Sequence, residues 1–83
     1  MAEELPSISG NELIGILRGD GWIEGRRTTH GIMLTKRFAD RTRVTIVPTK
    51  HKAMPHGSLS AILGPKQTGL GREGLLALIS KKH

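Results

Sequence analysis

The first third of the chain has the pattern of an amphipathic helix. Apolar residues between positions 13 and 17 repeat at helical spacing and form one stripe. Ser9 can cap the start of this helix, and Glu12, three residues later, can complete a capping box. The glycines of residues 19–21 supply the backbone freedom that ends a helix. These signals together predict a helix that packs against a sheet.

The period then changes to that of β-strands. Residues 22–24 predict a short strand that runs into a polar turn at residues 25–29. Residues 30–36 alternate as a second strand does, and the β-branched residues 43–47 predict a third. Because the connections are short, the three strands should form an antiparallel meander.

The last third returns to helical spacing. Residues 59–63 predict a second helix, and residues 75–79 lie in a last amphipathic helix. Between them, residues 64–71 read GPKQTGLG, which predicts a flexible connector. The fold class expected is α+β, in the order α-β-β-β-α with an extra short C-terminal helix. A three-stranded antiparallel sheet should carry the helices on one face.

Composition limits what the chain can be. Its 83 residues predict a single domain, 1–83, with one modest core. Cysteine is absent, which excludes disulfides, thiolate metal sites and thiol catalysis. No apolar run approaches the length of a membrane span, so we expect a cytoplasmic protein with no membrane contact.

Positive charge is concentrated in the middle of the chain. The formal net charge is +6, and residues 25–52 alone hold eight Lys or Arg against one Asp. A basic segment of this kind favours a polyanion, nucleic acid above all, as partner, although a solvated surface is the plainer interpretation. The residues predicted to bind RNA are Arg26, Arg27, Lys36, Arg43, Lys50 and Lys52.

Few residues offer chemistry. The acids are scattered, which disfavours paired-carboxylate hydrolysis. His51 and His56 lack the spacing of a zinc site, and GPKQTGLG is not a phosphate-binding loop, so no metal and no cofactor are predicted. His30 differs from the other histidines because it lies in a predicted strand, on one face with Ile32 and Leu34, beside a basic turn.

An imidazole among cations is the minimum set of groups for general acid–base cleavage of RNA. Such cleavage by His30 would need no metal ion. The simplest role for this side chain is to deprotonate the ribose 2′-OH. An ordinary hydrogen-bonded or solvated histidine is the alternative interpretation of the same residue.

Several segments in order resemble the HicA family of bacterial toxins: LPSISGNELIGILRGDGW, TTHGIML, VTIVP, HGSLSAIL and GLGREGLLALI. Members of that family are similar to double-stranded RNA-binding domains in fold. They act as ribosome-independent mRNA interferases and are neutralised by a HicB antitoxin. The resemblance implies an endoribonuclease that cleaves mRNA, with a HicB-like antitoxin as protein partner.

The resemblance also implies a catalytic residue. The catalytic histidine of the family follows Gly-Ser at the start of the second strand, and His30 occupies the matching position after Thr28 and Thr29. Gly31 stands where the family often has a second histidine.

Two non-catalytic alternatives remain. One is a double-stranded RNA-binding module of the same fold, which usually places lysines at the start of its last helix. Residues 54–58 read MPHGS instead, although Lys50 and Lys52 lie just upstream. The other is a small structural protein of a ribonucleoprotein.

Overall fold

A computed structural model describes residues 7–50 and 53–82 of the chain. One helix is followed by three strands and two further helices, which confirms the predicted α+β order with its additional C-terminal helix. The elements are α1 (Gly10–Gly19), β1 (Ile23–Thr28), β2 (Gly31–Arg37), β3 (Thr42–Val47), α2 (His56–Leu63) and α3 (Gly71–Lys82).

Helix α1 begins as its sequence predicts. The Ser9 hydroxyl accepts from the Glu12 amide, and the Glu12 carboxylate accepts from the Ser9 amide, so the capping box is complete. Ile8 and Leu13, on either side of this cap, are both buried. At the other end Gly21 has a φ of 98°, a conformation that favours glycine, and the chain turns there into the first strand.

The strands form one antiparallel sheet in the order β1-β2-β3. The register between β1 and β2 shifts by one residue at Gly25 and Arg26, where two residues of β1 face one residue of β2. This bulge lets β1 continue through residues 25–28, so the predicted turn at 25–29 is wrong. Nearly all of β1 is exposed, and it therefore shows no apolar alternation that could have marked it as a strand.

Helices α1 and α2 pack against the sheet, and α3 packs against these two helices. Ile32, Leu34 and Val47 point from β2 and β3 into the core, where they join the buried faces of α1 and α2. The two aromatic residues lie near each other, with the rings of Trp22 and Phe38 edge to face and their centroids 6.4 Å apart.

The segment between α2 and α3 is held by hydrogen bonds, whereas the sequence predicts a flexible connector. The buried Thr68 bonds Ile62 through both its amide and its hydroxyl. The Gln67 and Gly69 amides donate to the carbonyl of Gly64. The glycines and the proline of this segment therefore form a compact turn. Arg43 and Thr45 of β3 hold the turn in place through further hydrogen bonds. Among the described residues, no helix is long and apolar enough to cross a membrane.

Candidate active site

His30 lies at the tip of the hairpin between β1 and β2. The strands pair up to Thr28 and Gly31, which leaves a turn of two residues, Thr29 and His30. The Thr28 hydroxyl accepts from the His30 amide at 3.1 Å and donates to the Gly31 carbonyl at 3.0 Å. The prediction that His30 shares a strand face with buried residues is wrong, because it is exposed in the turn.

Two close backbone approaches fix the hairpin tip against the end of β3. Gly31 has a φ of 148°, and a Cβ there would overlap the carbonyl oxygen of Val47. On the other side, a Cβ on Gly10 would overlap the carbonyl oxygen of Pro48. The chain that leaves β3 thus passes between two residues without side chains, and it continues beside the hairpin tip.

Because of this passage, residues distant in sequence meet around His30. A pocket of about 110 Å³ is lined by Arg27 from β1, by the turn itself, and by Thr49 and Lys50 after β3. Arg27 and Lys50 are both exposed. No carboxylate lines this pocket within the described part of the chain. We call Arg27, His30 and Lys50 the hairpin site.

The imidazole of His30 has no hydrogen-bond partner among the residues that the structure describes. Its ring nitrogens can therefore meet a substrate, and one can accept a proton while the cations beside it attract an anion. Arg27 offers a planar set of N–H donors that fits a phosphate, and Lys50 offers a mobile point charge. Together they can hold a phosphodiester next to a proton acceptor.

Lys36, another residue predicted to bind RNA, is engaged within the protein. Its Nζ donates to the backbone carbonyl of Asp20 at 2.6 Å and to the Asp20 carboxylate at 3.1 Å. The side chains of this ion pair are each only 25% exposed. The same ammonium lies 5.3 Å from the centre of the Phe38 ring, within range of a cation–π contact.

Arg43 is engaged in a similar way. Its Nη1 donates to the carbonyls of Pro65 and Gln67 at 2.8 and 3.2 Å, and these bonds tie β3 to the segment between α2 and α3. Its guanidinium lies 5.6 Å from the centre of the Phe38 ring. We call Asp20, Lys36, Phe38 and Arg43 the Phe38 cluster.

The structure therefore separates the predicted RNA-binding residues into two groups. Lys36 and Arg43 face each other across β2 and β3. Lys36 lies five residues along β2 from Gly31, which is roughly 17 Å from the hairpin tip. Arg26 is exposed on the β1 bulge and does not line the pocket. Lys52 lies outside the described residues.

Sequence reasoning missed the part played by backbone and hydroxyl groups. Thr28 clamps the turn and Thr49 lines the pocket, and neither was singled out. A threonine directly before a short turn is a usable signal, because its hydroxyl can bond the backbone two or three residues on. No local signal marks Thr49, which only the tertiary fold brings near His30.

Within residues 7–50 and 53–82, no three His, Asp or Glu side chains come together as metal ligands would. Comparisons with protein-family models, with curated proteins and with solved structures found no match to the chain. The resemblance to HicA toxins consequently rests on the sequence segments alone.

Proposed function

We propose that the protein is an endoribonuclease that cleaves mRNA at the hairpin site. The observation that carries this proposal is an exposed imidazole, without a hydrogen-bond partner among the described residues, in one pocket with Arg27 and Lys50. Among the described residues the pocket is lined by cations and no carboxylate, which further favours a phosphodiester there. The HicA-like segments support the same activity.

The mechanism follows from the groups in the pocket. His30 takes the proton from a ribose 2′-OH, and the 2′ oxygen attacks the adjacent phosphorus. The bond from phosphorus to the 5′ oxygen of the next nucleotide breaks, and water protonates that oxygen. The products are a 2′,3′-cyclic phosphate and a 5′-hydroxyl end. Arg27 and Lys50 stabilise the extra negative charge that the phosphate carries in the transition state.

This mechanism restricts the substrate to RNA. DNA has no 2′-OH and can offer no internal nucleophile, so it can be bound but not cleaved by this route. The mechanism also requires no metal ion, because the base, the nucleophile and the charge stabilisation all come from the protein and the substrate.

The biological role proposed is that of a toxin in the cytoplasm, paired with an antitoxin. The resemblance to HicA suggests a HicB-like protein as the antitoxin. An acidic surface on that protein would complement the exposed cations of the hairpin site and cover them. Expression of the protein should arrest growth. Co-expression of the neighbouring gene product should relieve the arrest, and the His30→Ala variant should not cause it.

The decisive experiment is RNA cleavage in EDTA by the full chain. Wild type should cut a labelled single-stranded RNA and leave cyclic phosphate ends. His30→Ala should lose at least about 100-fold in rate, the usual contribution of a general base. His56→Ala removes another exposed histidine, at the start of α2, and serves as the matched control.

Three outcomes would overturn the proposal: equal cleavage by wild type and His30→Ala, loss of wild-type cleavage in EDTA, or binding of RNA without cleavage. The last would favour the non-catalytic double-stranded RNA-binding module. Circular dichroism of the variants establishes that any loss of rate is not a loss of folding.

A further inference from the structure

A second and larger cavity begins at His30 and runs away from the hairpin tip. It is a groove of about 430 Å³ between β3 and α2. Val44, Ile46 and Pro48 line it on the strand side, and Ala61 and Ile62 line it on the helix side. In the sheet that the described residues form, β3 is an edge strand, and no further strand lies on this side of it. The proposed cleavage chemistry does not use the groove.

The walls of the groove are mostly apolar, and some of them are unusually open. Val44, which alternates with the buried Thr45 on the edge strand, is 44% exposed. Ala61 is exposed on the facing side of α2. Concave apolar walls with a small number of polar groups are typical of sites that hold a small, flat or compact ligand.

One polar side chain at the groove is held in a defined orientation. Gln67 accepts a hydrogen bond at its Oε1 from the buried Thr45 hydroxyl at 2.6 Å. The backbone carbonyl of Gln67 accepts from Arg43. With the carbonyl end of the amide held by Thr45, its Nε2 is left to donate to a ligand. The groove thus offers apolar walls and an oriented N–H donor.

The charges around the groove favour a polyanion. The hairpin site, with its exposed Arg27 and Lys50, lies at one end of the groove. No Asp or Glu side chain lines the groove among the described residues. A nucleobase combines an apolar ring face with acceptor atoms at its edge, and the phosphate of the same nucleotide would meet Arg27 and Lys50 of the hairpin site.

We infer that the groove between β3 and α2 binds one unpaired base of the RNA, next to the phosphate that lies at His30, with Gln67 Nε2 donating to the base edge. The inference rests on the proposed function of the hairpin site. The inference predicts that the substrate is single-stranded or looped RNA, because a base within a duplex would first have to be unpaired and unstacked to enter the groove.

A substitution that fills the groove tests the inference. Ala61→Phe places a large ring between the walls, and Ala77→Phe adds the same ring at an exposed position on α3 that does not line the groove. Binding is measured with a fluorescent RNA of 12 nucleotides, each protein also carrying His30→Ala so that the RNA stays intact. We expect Ala61→Phe to lower affinity about tenfold, the loss of one base contact, and Ala77→Phe to leave it unchanged.

An abasic scan of the same RNA locates the base. One abasic position should weaken binding to the His30→Ala protein about tenfold and have no effect when Ala61→Phe is also present. Ser58→Phe, which fills the groove from another position on α2, repeats the test should Ala61→Phe fail to fold.

The two proposals fail in different ways. Cleavage by wild type with no affinity change for Ala61→Phe or Ser58→Phe would overturn the groove inference alone. A position-specific abasic effect without cleavage would uphold the groove inference and overturn only the endoribonuclease proposal. Ala61→Phe could instead lose binding to an antitoxin protein while its affinity for RNA stays unchanged. That result would show that the groove binds a peptide strand along the β3 edge, and it would overturn the inference.

Discussion

The hairpin site and the Phe38 cluster hold their cations in opposite ways. In the Phe38 cluster, contacts of the side chains themselves fix the cations. Lys36 and Arg43 donate hydrogen bonds to other parts of the protein, and both lie near the Phe38 ring. At the hairpin site it is the backbone that is fixed, by the hydrogen bonds of the Thr28 hydroxyl and by the close approach of Gly31 to β3. The side chains of His30, Arg27 and Lys50 are left exposed.

This difference shows how a cation available to a ligand can be told from a structural one. The cations of both groups lie in the same basic segment, residues 25–52, so the amino-acid composition alone does not distinguish them. A cation that already bonds carbonyls must give up those bonds to hold a phosphate, which costs free energy. An exposed cation beside a rigid backbone loses only side-chain freedom.

Gly31→Ala should lower the free energy of unfolding by about 3 kcal/mol, because the new Cβ meets the Val47 carbonyl and the backbone conformation disfavours a side chain. Urea denaturation measures the change. The control is Gly19→Ala at the end of α1, where nothing lies within 4 Å and the φ is not positive. Equal stability of Gly31→Ala and wild type would mean that the backbone does not fix the hairpin site.

Arg43→Ala should lower the free energy of unfolding by about 2 kcal/mol, since it removes two charge-assisted hydrogen bonds and a cation–π contact. Arg27→Ala should change it by less than about 0.5 kcal/mol, because its side chain is exposed. Denaturation of both variants under one set of conditions gives the comparison. Similar losses from the two substitutions would remove the distinction between the two groups.

The ion pair of Lys36 and Asp20 should show a coupling energy of about 1 kcal/mol in a double-mutant cycle with Lys36→Met and Asp20→Asn. The pair of Arg41 and Asp40 is the internal control. Its side chains are 62% and 71% exposed, and its coupling should stay below about 0.3 kcal/mol. If the coupling between Lys36 and Asp20 were as weak as that of the control pair, Lys36 would not be held in place and would be available to a ligand.

The salt dependence of RNA binding should differ between variants of the hairpin site and a variant of the Phe38 cluster. Each of Arg27→Gln and Lys50→Gln should make the slope of log affinity against log salt less negative by about 0.7, the value for one phosphate on a single strand. Lys36→Gln should leave the slope unchanged. A shift of similar size for Lys36→Gln would place the Phe38 cluster in the RNA interface.

Local sequence signals predicted much of the fold. The capping box and the apolar stripe of α1, the β-branched run of β3 and the spacing of α2 each act within a few residues, and the structure confirms each of them. Strand β1 was predicted too short because it lies at an edge and its residues face solvent. A strand without a buried face has no alternation to display.

The candidate site was predictable only in part. His30 stands out from sequence by its place beside basic residues, but its position in the turn depends on how far β1 extends. The bulge at Gly25 and Arg26 decides that extent, and a bulge requires a partner strand. The prediction that His30 is the catalytic residue awaits the cleavage assay.

Local sequence is enough to specify the order of the elements, the caps of α1 and the concentration of positive charge between residues 25 and 52. Packing between distant parts of the chain selects which of those charges remain available. Lys36 and Arg43 find their partners 16 to 24 residues away, and Lys50 reaches His30 because two glycines let the chain pass. Helix caps and strand propensities act between near neighbours, whereas the partner of a long charged side chain is set by packing across the whole fold.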